Sequence, residues 1–227
     1  IIKMEVSRNY PPNKNYLEFI RKFCNKEKLL LIFDECTSGF RETYGGLHLK
    51  YNINPDILIL GKALGNGYAI NAILGKKFVM KSAEKTFISS TFWTERIGPT
   101  AAIATLKEMK RIESWKYVTK YGNYIKTEWK KIFKDNNLKI EIKGLDSMPV
   151  FNFEKKNVNQ LYRSFITLEM LKRGFLTSNS LYVSTAHTPY IINKYLKNFG
   201  EVIKKLKAKI KNNSLIINSI SKQQINR

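Results

Sequence analysis

LLLIFDECTSGFRETYGGLHLKYNINPDILILGKALGNG, residues 29–67, is the stretch whose reading decides the fold. Two short apolar runs in it, residues 29–33 and 57–60, are each bounded by polar and turn residues, the pattern of parallel strands covered on both faces. Asp34 and Glu35 follow the first run, and Lys62 follows the second. Open α/β sheets gather ligand chemistry at the carboxyl ends of their strands, so a carboxylate and an amine stand side by side where a site is expected. Working outward, residues 1–6 read as a further strand and residues 16–26 as a helix, with Leu17, Ile20, Phe23 and Cys24 at helical spacing and Asn15 with Glu18 as a capping-box-like start. The unit is strand, helix, strand, a right-handed parallel crossover.

An adjacent carboxylate and lysine are what pyridoxal 5'-phosphate chemistry requires. The cofactor is an electron sink whose pyridine nitrogen must be kept protonated by a carboxylate, and a lysine must form the imine that is exchanged with the substrate amine. Asp34 fits the first task and Lys62 the second. Gly61, Gly65 and Gly67 around the lysine allow close backbone approach and positive φ. Each residue alone has a plainer reading: lysine is abundant here, and an aspartate after a strand commonly serves a turn.

Three ordered segments sharpen the reading: IFDECTSGFR (32–41), NPDILILGKALGNG (54–67) and SSTFWTERIGPTAAIATL (89–106). Together they resemble the class III pyridoxal-phosphate-dependent aminotransferases, and within them the glutamate-1-semialdehyde aminomutase branch, over residues 1–207. The resemblance implies a fold type I transferase: an α/β cofactor domain with a partial, mostly parallel sheet, then an α+β small domain. It implies that Asp34 partners the pyridine nitrogen, that Lys62 is the Schiff-base lysine, that Cys36 stands where an aliphatic side chain packs on the ring, and that Thr91 binds cofactor phosphate across a homodimer interface. The family's amino-terminal half, with its Gly/Ser-rich phosphate loop and ring-stacking aromatic, has no counterpart in these residues, so the chain reads as the carboxy-terminal portion of such an enzyme. The domains expected are residues 1–112, 113–211 and a polar tail, 212–227.

The balance of 40 Lys and Arg against 18 Asp and Glu gives a formal charge of +22, which raises nucleic-acid binding as a different class of function. Against it, lysines are spread through every segment and arginine is scarce where phosphate readout would favour it. The densest run, KKLKAKIK at 204–211, reads as the solvated side of a terminal helix. A basic nucleic-acid binder and a catalytically inactive remnant acting as an interaction module remain the alternatives to a small-molecule enzyme. No apolar run approaches the roughly 20 residues of a membrane span, and the first residues, IIKMEV, have no signal or transit character. The two cysteines, Cys24 and Cys36, have neither zinc nor CxxC spacing, which fits reduced thiols in the cytoplasm.

Several local expectations follow. Arg41 and Tyr44 sit in a glycine-rich loop and are candidates to face substrate, with solvent-exposed roles as the alternative. Residues 69–74 read as a strand. Ser89, Ser90, Thr91 and Thr94 precede a helix expected over 100–112 with Pro99 at its first position, an arrangement that either holds phosphate or simply caps the helix. Phe92, Trp93 and Arg96 make this loop bulkier than the branch's usual turn. Residues 113–136 form a helix with an apolar stripe of Trp115, Val118, Tyr121, Ile125, Trp129 and Ile132. Strands at 138–142 and 149–153, a helix over 160–173 stopped by Gly174, and a last helix capped by Thr188 with Pro189 at its first position complete the order. His187 is read as holding the turn before that helix, with approach to substrate as the alternative.

Overall fold

A computed structural model describes residues 2–3, 12–13, 15–89, 91, 94–154 and 156–211. The expected strand over residues 1–6 is described only at Ile2–Lys3, and Pro11, Ser90, Phe92, Trp93 and the 212–227 tail lie outside the described residues. The chain forms two compact units, Ile1–Thr119 and Lys120–Arg227.

The first unit carries a four-stranded sheet in sequential order: β1 (Ile2–Lys3), β2 (Ile32–Glu35), β3 (Ile57–Leu60) and β4 (Ala72–Gly75). The first three strands are parallel and β4 joins β3 antiparallel, which makes the sheet mostly parallel. Helix α1 (Tyr16–Lys26) makes the crossover from β1 to β2 and buries Leu17 and Cys24, although Phe23 stays 44% exposed. Asn15 does not cap it. Its backbone is left-handed (φ 66) and its side chain bonds none of the free N–H groups.

Strand β2 starts three residues later than the apolar run suggests. Lys28 adopts φ 55 and the Leu29 N–H returns to Cys24 O at 2.8 Å, so this residue closes α1 and leaves Leu29 and Leu30 exposed. The register is then set by Asp56, just before β3. Its Oδ2 accepts the Leu31 N–H at 2.8 Å and Arg21 Nη1 at 2.8 Å, and Oδ1 pairs with Lys76 Nζ at 2.7 Å. Burial pushes this carboxyl up, but the Leu31 N–H, Lys76 and Arg21 outweigh it and hold its pKa at about 2.

After β4 come a short helix α2 (Lys77–Met80) and helix α3 (Ile97–Ile112). Helix α3 begins at Ile97 because the Glu95 carboxylate takes the N–H groups of Ile97 and Gly98, so Pro99 lies at the third position, still within the first turn where a proline costs no hydrogen bond. Leu60, Leu64 and Ala102 form a core cluster against which Phe40, Leu58, Ile70, Ala72 and Leu106 pack. Ile103 on α3 is exposed. Ile73, Leu74 and Phe78 are exposed too, so apolar side chains of β4 and α2 face solvent.

Glu113 (φ 48) breaks the chain between α3 and helix α4 (Ser114–Asp135), and the boundary between the units falls within α4. The second unit packs α4, a β5 (Ile140–Lys143) and β6 (Val150–Phe153) antiparallel pair, α5 (Lys156–Leu171) and α6 (Pro189–Lys211). Its core is aromatic: Trp129, Phe133, Phe151 and Phe199 are fully buried, with ring centroids 5.0–5.9 Å apart in the pairs they make. Such pairs contribute about 1 kcal/mol each beyond their burial. Helix α5 starts four residues before the expected position and ends at Leu171, two residues early, with Gly174 (φ 80) in the turn that follows. Thr188 Oγ1 accepts the Ile191 N–H at 3.3 Å, capping α6 as its sequence predicts. No helix among the described residues is long and apolar enough to cross a membrane.

Candidate active site

Parallel pairing sets Asp34 opposite Ile59 and Glu35 opposite Leu60, so the carboxyl ends of β2 and β3 finish together. Successive strand residues face opposite sides, which sends Asp34 and Glu35 to different environments. Asp34 is half-buried, and its Oδ1 accepts the Cys36 N–H at 3.1 Å in a short Asx-type turn. Glu35 is fully buried, and its carboxylate takes the Leu47 N–H, the His48 N–H at 2.9 Å and His48 Nδ1 at 2.8 Å. This second carboxylate is committed to the protein. It ties the end of β2 to the 3-10 turn Leu47–Tyr51 and so closes the loop between them.

Lys62 opens a 3-10 turn straight after β3 with φ 41, a left-handed conformation that costs a non-glycine residue about 1 kcal/mol or more. The residue is exposed overall, yet Nζ donates to Thr37 Oγ1 at 2.6 Å, on the turn that follows Asp34. Gly61 before it has no space for a side chain. A Cβ there would meet Cys36 Sγ at 2.7 Å and Asn71 Oδ1 closer still. Cys36 and Asn71 therefore flank the peptide that delivers the lysine, and both cysteines of the chain are free thiols.

Asp34, Cys36 and Lys62 thus gather at one sheet edge. Thr91 is exposed in the turn before α3, and no hydrogen bond among the described residues joins it to that edge. The first N–H groups of α3 are taken by Glu95, so the helix start next to Thr91 is already occupied by an anionic group. Arg41 Nε donates to Thr37 O at 2.9 Å, bracing the loop. Tyr44 packs on Trp115 with centroids 5.2 Å apart and donates to Leu106 O at 3.2 Å, contacts that anchor the loop to α3 and the start of α4. His187 Nδ1 accepts the Ser184 N–H at 3.3 Å, holding the turn before α6. Sequence reading missed Thr37, Asn71 and the Glu35–His48 pair. The only signal for them was their place in the irregular loops after β2 and β3.

The donor set fits pyridoxal phosphate. Among the described residues one Asp34 carboxylate oxygen takes a hydrogen bond and the other does not, which suits a partner for a protonated ring nitrogen, and an amine stands across the same edge. No group of three or more His, Cys, Asp or Glu side chains among the described residues is placed to hold a metal.

The family model for class III aminotransferases matches residues 9–207. A 3-aminobutyryl-CoA aminotransferase of Cloacimonas acidaminovorans is 33% identical over 185 residues, 81% of this chain and 44% of that protein. A glutamate-1-semialdehyde 2,1-aminomutase of Wigglesworthia glossinidia brevipalpis is 34% identical over 216 residues, 88% of this chain and 50% of that protein. Among solved structures, the Sphingopyxis sp. MTA144 FumI protein in its PLP internal aldimine form superposes with a TM-score of 0.82 at 22% identity, covering 91% of this chain and 50% of that one. The chain spans about half the length of the curated relatives it matches.

Proposed function

This chain belongs to the class III aminotransferase family, and on that premise we propose that it contributes the lysine and the ring-nitrogen carboxylate of a pyridoxal-phosphate-dependent enzyme that moves amino groups. One observation carries the reading: Lys62 Nζ lies 2.6 Å from the hydroxyl of the turn that follows Asp34, so amine and carboxylate share one sheet edge. The first unit is read as the carboxy-terminal part of the large cofactor domain and the second as the small domain. The exposed apolar side chains Ile73, Leu74, Phe78 and Ile103 are read as surface that the rest of the fold covers.

When bound, the cofactor supplies an electron sink for the carbon next to the amino group. Asp34 holds a proton on the ring nitrogen through its available oxygen. Lys62 Nζ would hold the cofactor at its aldehyde carbon, and the same nitrogen, when free, would take and return the proton of the amino-bearing carbon. Thr91 is assigned to cofactor phosphate in the partner subunit of a homodimer, supported by its exposure and by the resemblance of SSTFWTERIGP to the family segment. A cytoplasmic enzyme acting on a small amino or carbonyl compound completes the reading, and two free thiols suit that compartment.

Amino-group transfer between two substrates is favoured over strict isomerisation of glutamate-1-semialdehyde, because the segment from Thr91 to Pro99 is bulkier than the aminomutase branch's usual turn. The test is spectroscopic and chemical. The protein mixed with pyridoxal phosphate gains a visible absorbance that borohydride abolishes, Lys62→Ala lacks it, and Asp34→Ala retains the link while losing transfer. Label on a lysine other than Lys62 overturns the assignment. Turnover of glutamate-1-semialdehyde with no second substrate overturns the preference for two-substrate transfer.

A further inference from the structure

Thr37 has a hydroxyl whose placement the fold does not require. The residue is 6% exposed in the turn after β2, and Oγ1 accepts Lys62 Nζ at 2.6 Å. Packing alone would be served equally by valine, which has the same shape. We propose that Thr37 is a positioning residue for Lys62: its hydroxyl holds the lysine amine at the shared carboxyl ends of β2 and β3, so that an aldehyde oriented by Asp34 meets a nucleophile already in place. The inference rests on the reading of Lys62 as the cofactor-binding lysine.

Three observations support it. The Lys62 side chain is exposed, so without a tether its four rotatable bonds would sweep the amine through solvent, and ordering such a chain costs about 2 kcal/mol of rotamer entropy. The backbone of Lys62 is held left-handed (φ 41), and from it the amine reaches Thr37, 25 residues earlier in the chain. The turn bearing Thr37 is itself fixed: Arg41 Nε donates to Thr37 O at 2.9 Å, the Gly39 N–H closes on Glu35 O at 2.8 Å, and the Glu35 carboxylate gathers Leu47 and His48 beneath it. An acceptor on a rigid turn pre-orders a flexible donor, and that ordering is what brings reacting atoms together ahead of encounter.

The full chain, as wild type and as Thr37→Val and Thr37→Ser, is exposed briefly to pyridoxal phosphate and reduced with borohydride. The amine nitrogen displaces the aldehyde oxygen as water, and hydride adds to the carbon, leaving a secondary amine that survives digestion. Peptide mapping then gives the share of label at Lys62 against that at the surface lysines. The wild type labels Lys62 selectively, Thr37→Val lowers that share about three- to tenfold, the loss expected for one hydrogen bond to a charged group that is partly solvated, and Thr37→Ser restores it. A purely structural role would instead be served by valine and harmed by serine. If wild type shows no preference for Lys62, the reading of Lys62 fails and this inference with it. If wild type is selective and Thr37→Val is equally so, only the role of Thr37 is overturned. Should Thr37→Val not fold, a Thr37→Ser protein that is as unselective as its surface lysines overturns the role just as directly.

Discussion

Glu169→Gln offers the most quantitative check of the physical picture. Glu169 lies on α5 with 6% exposure, and its carboxylate takes Lys205 Nζ at 2.6 Å from α6, Lys172 Nζ at 2.9 Å and Arg173 Nη1 at 3.4 Å. Its bonds to Lys205 and then Lys172 hold its pKa at about 2, against 4.5 for an ordinary glutamate. Because the folded value lies below the unfolded one, the ionised carboxylate stabilises the fold fully above pH 4.5 and loses that contribution as pH falls towards 2. A difference of this size corresponds to about 3 kcal/mol at neutral pH. Lys172 and Lys205 are themselves 71% and 48% exposed, so solvent screening reduces the expected value to about 2 kcal/mol. Urea unfolding at pH 7 should therefore place Glu169→Gln about 2 kcal/mol below wild type, and the gap should narrow steadily below pH 5 to under about 0.5 kcal/mol near pH 2. A gap that stays constant with pH, or one below about 0.5 kcal/mol at pH 7, would refute the reasoning. The lysine-rich face of α6 would then be solvated charge with no hold on α5.

Gly61→Ala should lower stability by about 1–3 kcal/mol through overpacking alone, since φ at Gly61 is −169 and extended backbone carries no penalty for alanine. Thermal unfolding measures it, and adding Asn71→Ala should return part of the loss, the contact with Cys36 Sγ at 2.7 Å remaining. Glu35→Gln replaces one acceptor oxygen with an NH2 that must face an N–H donor, so it should cost about 2–4 kcal/mol. Amide hydrogen exchange at Leu47 and His48 should speed up in parallel, and unchanged protection there would mean that the buried carboxylate does not hold the loop.

What could be read from the chain depended on whether the deciding interaction was local. Ile57–Leu60 was legible to the residue because its four apolar side chains stand between a polar turn and a glycine. The run before Asp34 was not, since Leu29 and Leu30 are as apolar as Ile32 and Phe33. The start of β2 was chosen instead by Lys28 turning left-handed and by Asp56 capturing the Leu31 N–H from 25 residues away. The same division runs through the site. Asp34 and Lys62 could be picked out only as a pair, since each alone has plainer uses and it was their place in three ordered motifs that pointed to one chemistry. Threonine has many structural uses, and only the register of β2 against β3 brings Thr37 to the amine. The segment before α3 shows the failure from the other side. Its hydroxyls suggested an anion at the helix start, yet Glu95, one residue beyond Thr94, fills that position with the chain's own carboxylate. A helix N-terminus attracts whichever negative group is tethered nearest, and a neighbour in sequence competes at an effective concentration that a free phosphate cannot match. The role proposed for Thr91 would therefore have to draw on its hydroxyl and on other surfaces, with no help from the α3 dipole.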